Sequence, residues 1–374
     1  VDSFESFIWT ERFQAWGDFE LIIKAAQATR TLFQTGTRIA INESVRVMTV
    51  ETVEDKVDDE GRLLLTVKGR SLEAILEDRL AMAALTDLTT DPRWEITDFP
   101  LDVATEIFHD ICVTGILDPG DIISGVVEGS FFPVDTIAAP GDVITYSIEP
   151  ESVYKAIKDL CEVYDMGFRL VLESATNTLY FDVYMGSDRT SGQTTLAAII
   201  FSPDLENLRN TTQLTTIALY KNTAYVVSPV GHEIVYATDV DPSVEGFERR
   251  VLFVKADDIT DVVPEDASDK MIQRGTEELG KARKLIAFDG ELAQTTSYIY
   301  GTDYYLGDRV ELRNDEGTTA YMQVTEQIFV SDNQGNRAFP TLSTRTVITP
   351  GSWLSMPADL DWDEMTTEEW EDMP

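Results

Sequence analysis

Two-residue alternation of apolar and polar positions runs through most of the chain and gives way to a helical period in a few segments. Residues 46–70, RVMTVETVEDKVDDEGRLLLTVKGR, carry β-branched runs on both sides of Asp58-Asp59-Glu60-Gly61, the pattern of a hairpin whose Gly61 supplies a positive φ. The period then changes. SLEAILEDRLAMAAL places Leu72, Ile75, Leu76 and Leu80 on one helical face, with Ser71 as its cap. FPLDVATEIFHDICVTGIL predicts a helix starting near Asp98, with Pro100 in the first turn. PESVYKAIKDLCEVYDMG predicts another, with Val153, Ile157, Leu160, Cys161 and Tyr164 sharing a face and Gly167 in the left-handed position at its end. FRLVLESATNTLYFDVYMG reads as a hairpin. Residues 207–236 are strand material broken at Lys221-Asn222 and Pro229-Val230-Gly231, and SDKMIQRGTEELGKARKL is the last helix. From Leu292 the chain returns to strands, with turns at Asn314-Asp315-Glu316-Gly317 and Asp332-Asn333-Gln334-Gly335.

The pattern repeats. Asp18, Glu20, Leu21, Gly36 and Arg38 recur with the same spacing as Asp289, Glu291, Leu292, Gly307 and Arg309. After a short insertion, Met48, Val50, Asp58 and Gly61 recur as Met322, Val324, Asp332 and Gly335. Strand and turn signals coincide as well as letters, since Gly36 and Gly307 each open an alternating strand. The expected fold class is α+β, mainly β, with two related β-barrels and an inserted α+β domain. The divisions are 1–72 for the first β-barrel region, 73–200 for the α+β domain, 201–350 for the second β-barrel region with a helix near 268–285, and 351–374 for an acidic tail.

Charge narrows the function classes. With 67 Asp and Glu against 29 Lys and Arg, the net charge is −38, which repels polyanions and excludes sequence-reading of DNA by this surface. Eight acidic residues follow Ala358, and neither Lys nor Arg follows Arg345, so this segment, which also holds Trp362 and Trp370, is either a disordered tail or a peptide that orders on a basic partner, the second being the expectation. No window approaches the ~20 apolar residues of a membrane span, and no basic-then-apolar leader precedes Asp2, so synthesis in a cytoplasm is expected.

Catalytic chemistry finds little to build on. Cys112 and Cys161 are too few for a disulfide scaffold and read as buried, reduced thiols. His109 and Cys112 lie three apart on a helix, but two ligands do not close a zinc site; His109 fits a polar face beside Asp102, Thr105 and Glu106. His232 follows a turn glycine. Neither G-x-S-x-G, H-E-x-x-H, an EF-hand loop nor a Walker loop occurs, so no catalytic, cofactor-binding or metal residue is assigned and no cofactor is expected.

SFIWTERFQAWGDFEL, the hairpin-plus-helix block 46–79, and TDYYLGDRVEL resemble the baseplate hub or minor tail proteins of long-tailed phages of Gram-positive, especially actinobacterial, hosts; VYMGSDRTSG and IIFSPDLENL also fit. The resemblance implies tail-tube-like barrels and no enzymatic activity. It implies a virion protein forming a homotrimer at the distal end of the tail. That trimer would meet the distal tail protein ring, hold the tape-measure protein and carry fibre or receptor-binding proteins, while DNA passes its channel without specific binding. No hydrolase or long fibre domain of the kind that larger relatives carry is expected after Arg345. A cell-wall or carbohydrate hydrolase, or a carbohydrate-binding β-protein, remains an alternative on the strength of the carboxylates and of Trp94 and Trp353.

Overall fold

The computed structural model describes residues 4–84, 93–129, 137–173, 176, 178–237, 242, 244–260, 264–282, 285–292, 298–313, 319–333 and 335–344. Its chain divides into two compact units, the first comprising residues up to 214 together with 287–344, the second comprising 215–286 among the described residues.

The first unit begins with β1 (Ser6–Arg12) and β2 (Asp18–Lys24), followed by a short helix α1 (Gln27–Leu32), β3 (Arg38–Ala40), β4 (Val47–Val57) and β5 (Leu63–Ser71). Alternation buries Phe19, Leu21 and Ile23 of β2 against Trp9, Met48, Val50, Leu65 and Val67. The β4–β5 hairpin turns at Gly61, whose φ is +77, as its sequence requires. Beyond β5 the expected helix does not form. Residues 72–78 wind as a 3-10 segment, and the chain extends again as β6 (Leu80–Ala81). Glu73, Ala74 and Leu76 are buried while Ile75 and Leu80 are exposed, so the apolar face expected from the spacing is not the one used. Nor does Ser71 cap: its Oγ accepts from Gly17 N at 2.7 Å, tying the β1–β2 turn to the end of β5.

The α+β segment follows with β7 (Trp94–Asp98), α2 (Pro100–Phe108) continuing as a π-helical turn through Thr114, β8 (Val126–Glu128), β9 (Ile144–Ile148), β10 (Glu151–Ser152), α3 (Val153–Tyr164), β11 (Gly167–Glu173) and β12 (Thr178–Tyr184). Pro100 starts α2, where its missing N–H costs nothing, and Ser152 Oγ accepts from Lys155 N at the start of α3. Val103, Ile107, Phe108, Ile157 and Leu160 pack into one core, with Phe108 stacked on Phe181 of β12 at 3.8 Å between ring centroids. At the end of α3 it is Asp165, with φ +56, that takes the left-handed position. Gly167 is needed for another reason: a Cβ there would lie 2.2 Å from the Phe13 ring. Phe13 is fully buried, and Gly307 closes its other side, 2.5 Å from a Cβ built there.

After β13 (Ile200–Phe201) comes β14 (Leu208–Thr216). The second unit then forms around β15 (Thr223–Ser228), β16 (Gly231–Tyr236) and β17 (Val251–Lys255), with order β16-β15-β17 and α4 (Pro264–Lys281) on one face. Gly275 lets α4 approach closely, since a Cβ there would meet Val235 at 2.6 Å and Val226 at 2.9 Å. The chain re-enters the first unit through β18 (Leu285–Leu292) and completes it with β19 (Arg309–Arg313), β20 (Thr319–Asp332) and β21 (Gly335–Thr344). The turn expected at 314–317 and the acidic segment 351–374 lie outside the described residues, and of Asp289, Glu291 and Leu292 the strand is described but not the side chains.

The repeat seen in the letters is present in the backbone. Both halves share the neighbour order: β1-β2-β5-β4-β3 in the first and β14-β18-β21-β20 with β19 in the second. Ile39 faces Met48 as Val310 faces Met322. Gly36 N donates to Val50 O, and Gly307 N donates to Val324 O, both at 2.8 Å. Each hairpin slips register at the equivalent place, between Val50 and Thr52 and between Val324 and Glu326. The glycines match too, with φ +84 at Gly36 and +90 at Gly307. The two halves are nevertheless not two closed barrels. β1 uses both of its edges, pairing antiparallel with β2 and with residues 326–332 of β20, which fuses the halves into one eleven-stranded sheet with an open path.

Equivalent backbone but unequal surroundings make the two glycines a test. Gly36→Ala carries only left-handed strain, since a Cβ there meets no atom within 4 Å, and costs about 1–2 kcal/mol. Gly307→Ala adds a collision with Phe13 and costs about 3 kcal/mol or more. Urea unfolding of both variants measures the difference, and equal losses would contradict the packing. In the second unit, burial raises the pKa of Glu277 in spite of its bond from Gln273. A raised folded pKa means stability lost as pH rises through it, so Glu277→Gln is expected to raise the unfolding temperature at pH 7. The gain should vanish below the ordinary value of 4.5, as thermal scans across pH will check.

Candidate functional site

Between the inner faces of the two halves, entirely within the first unit, lies a cleft of 1430 Å³. That exceeds the roughly 300–1,000 Å³ of small-molecule pockets. Phe7 and Phe33 from the first half, and Tyr298 and Phe329 from the second, line its walls. Glu11 and Arg46 line its floor, and Glu73 is buried against Arg46. Glu11 ends the buried stretch of β1, Arg46 precedes β4, and Glu73 opens the 3-10 segment; their side chains are 1%, 3% and 0% exposed.

Arg46 Nη1 donates to Glu73 Oε1 at 2.8 Å, its Nη2 donates to the Arg12 carbonyl at 3.0 Å, and its Nε lies 3.8 Å from Glu11 Oε2. Glu11 accepts from Trp9 Nε1 at 2.9 Å, from Tyr300 OH at 2.8 Å and from Ser44 Oγ. Glu73 Oε1 also accepts from Leu170 N of β11 at 2.9 Å, whereas Glu73 Oε2 is buried without a hydrogen-bond partner among the described residues. Burial alone would lower the pKa of Arg46, but Glu73 and Glu11 more than offset it, and the guanidinium stays charged. Burial beside Glu11 pushes the Tyr300 hydroxyl well up, so it remains a donor. Nearby, Arg169 donates to Asp182 at 2.8 Å and lies over the Tyr184 ring at 3.8 Å. Arg46 lies between the two carboxylates, an arrangement suited to holding five chain segments together.

The residues singled out from sequence lie elsewhere. His109 stands at the start of the π-helical turn with Nδ1 2.8 Å from Glu128 Oε1, half exposed, and His232 is exposed in β16. Cys112 and Cys161 are free thiols in the α+β core; burial pushes Cys112 up to about 12 and Cys161 further, which makes both poor nucleophiles. Trp94 is buried in β7 rather than displayed, and Trp353 lies outside the described residues. No group of His, Cys, Asp and Glu among the described residues is placed to hold a metal, and no helix among them is long and apolar enough to cross a membrane. The sequence reading missed Glu11, Arg46 and Glu73. Their one signal is position: Glu11 lies two residues from Trp9, on the alternation that points inward.

The β1–β2 turn shows what the motif at residues 13–17 is for. Gln14 Nε2 donates to the carbonyls of Cys161 and Met166 at 2.9 and 3.0 Å, and Tyr154 OH accepts from Trp16 N at 3.2 Å. Trp16 Nε1 donates to Glu77, and Arg70 lies 5.0 Å over the Trp16 ring. The turn is thus a latch that fastens the sheet to the α+β segment.

Comparison with known proteins bears on the same architecture. The family model described as Siphovirus ReqiPepy6 Gp37-like protein matches residues 1–342. No curated protein matches this chain. Among solved structures, the fold is similar to the tail protein from Neisseria meningitidis MC58, with TM-score 0.57 and 16% identity over 94% of each chain. It is also similar to the 43 kDa tail protein of prophage MuSo2 from Shewanella oneidensis, with TM-score 0.53 and 13% identity over 91% of this chain and 93% of that one. At these identities the likeness is one of fold.

The buried charges carry a prediction of their own. Replacing Arg46 with Met leaves Glu73 and Glu11 buried without a cation and is expected to cost about 3–5 kcal/mol in urea unfolding. Adding Glu73→Gln to Arg46→Met should recover part of that loss, because it removes one of the stranded charges. Additive losses would show that the three groups do not act as a unit.

Proposed function

We infer the role of this chain from one premise: it belongs to the family of Siphovirus ReqiPepy6 Gp37-like proteins. Its fold is that of phage tail proteins. The reading proposed is a structural hub subunit of the tail, acting at the distal end of the tube as a homotrimer. It contacts the distal tail protein ring and the tape-measure protein and carries receptor-binding components. The 1–72 and 201–350 regions serve as tube-like sectors and 73–200 as a lateral domain.

The observation that carries this reading is the duplicated five-strand arrangement. One subunit offers two equivalent sectors, so three subunits offer six and match a six-fold tube. Strand edges support it. Residues 326–332 of β20 are covered by β1, whereas the equivalent residues 52–57 of β4 pair only with β5 among the described residues. An exposed edge of this kind invites another strand, and in a ring the neighbouring subunit's β14, the counterpart of β1, is in the sequence position to supply it. Closure of tube-like barrels then belongs to the ring and not to the single chain. The net charge of −38 fits a channel that lets DNA slide without binding it, because phosphate-binding walls would hold the duplex.

Native mass spectrometry of isolated tail tips, with immunogold labelling of whole virions, tests the assignment. Three copies, and label at the end away from the head, are expected. A count other than three, or label along the tube, would overturn it.

A further inference from the structure

Among the described residues the second unit buries one face of its three-stranded sheet under α4, and apolar side chains on the other face are exposed. Ile234, Tyr225 and Phe253 form a row across β16, β15 and β17, with Val227 and Val251 beside it, all exposed; Phe253 is 65% exposed. At one end of the unit the 246–250 loop is held on the 217–222 loop by Asn222 and Arg250, and the tips Phe247 and Leu219 stand free at 105% and 82% exposure. A row of exposed apolar side chains across three strands marks an interaction site.

Its rim identifies the occupant. Arg249 lies 5.7 Å over the Tyr225 ring and 5.8 Å over that of Tyr236, with Nε lacking a hydrogen-bond partner. Arg250 spends its guanidinium on the Ile217 carbonyl. In a chain with 67 carboxylates, neither arginine has a carboxylate partner among the described residues. The converse deficit sits in residues 358–374, where eight acidic groups have no Lys or Arg among them and alternate with Leu360, Trp362, Met365, Trp370 and Met373. Apolar anchors for an apolar face, and carboxylates for arginines that lack them, are complementary on both counts.

We propose that the outer face of this sheet, with its Arg249–Arg250 rim, is the docking surface for the acidic segment 358–374 of this chain, from the same copy or a neighbouring one. Being tethered raises the local concentration of the segment enough for a modest intrinsic affinity to suffice. The proposal does not rest on the hub reading, since it concerns a different surface.

The test uses the full chain with a benzophenone amino acid in place of Trp370, irradiated and mapped by peptide mass spectrometry. Crosslinks are expected to the peptides holding Tyr225 and Phe253. Their yield should fall roughly tenfold in Phe253→Asp and in Arg249→Glu, as loss of one anchor implies. Both substituted side chains lie outside the core under α4, and the far-ultraviolet circular dichroism spectrum should be unchanged. Mixing light and heavy chains separates same-copy from neighbouring-copy capture, and either supports the proposal. Capture elsewhere, reaction with solvent alone, unchanged yield in both variants, or capture of this face by a benzophenone placed at Phe253 of a second copy would overturn it.

Discussion

A buried guanidinium is the constraint on which the first unit depends. Arg46 lies out of water between Glu11 and Glu73, and a cation in that position is tolerable only while both carboxylates and their own donors stay in place. Those groups belong to β1, the approach to β4, the 3-10 segment, β11 and the turn at Tyr300, so the electrostatic requirement is also a statement of topology. An aliphatic core would tolerate several packings of these segments. Charges that must each find a named partner tolerate few, and here they set the sheet against the α+β segment.

Around that point the chain uses one plan twice. The halves share strand order, register, bulge and the glycine that starts the third strand, yet their first turns differ in use. In the first half, the turn at 13–17 is short and latches onto α3 through Gln14 and Trp16. In the second half, the corresponding link between β14 and β18 has been opened to admit the whole second unit. Phe13, held between Gly167 and Gly307, has the latch of one half packed against the repeat glycine of the other. A duplicated plan with unequal insertions gives one chain two similar strand sets, the second of which carries a whole inserted unit.

How much of this was legible follows from the physics of each feature. Gly36, Gly61, Gly307 and Gly335 could be read because a positive φ leaves few alternatives to glycine. The hairpins and α2 and α3 could be read because burial on one side imposes a period. Residues 72–78 misled because Leu72, Ile75, Leu76 and Leu80 spell an amphipathic helix, while the local winding instead buries Glu73 to meet Arg46. Gly167 reads as a helix end because no local rule reveals that Phe13 needs the space. Glu11, Arg46 and Glu73 were invisible among so many charges, since only long-range contact distinguishes a buried ion pair from a solvated one. Closed barrels were expected because a repeat implies like domains, but nothing in the letters says that β1 is shared with β20.

The central claim is that the two halves act as equivalent sectors of one ring. The most direct measurement is a single-particle reconstruction of the tail tip at a resolution that resolves strands. The account predicts that β1-β2-β5-β4-β3 and β14-β18-β21-β20-β19 of one subunit sit at equal radius, related by a rotation of about 60° around the tube axis. Finding the two halves at different radii, or only one of them facing the channel, would contradict it.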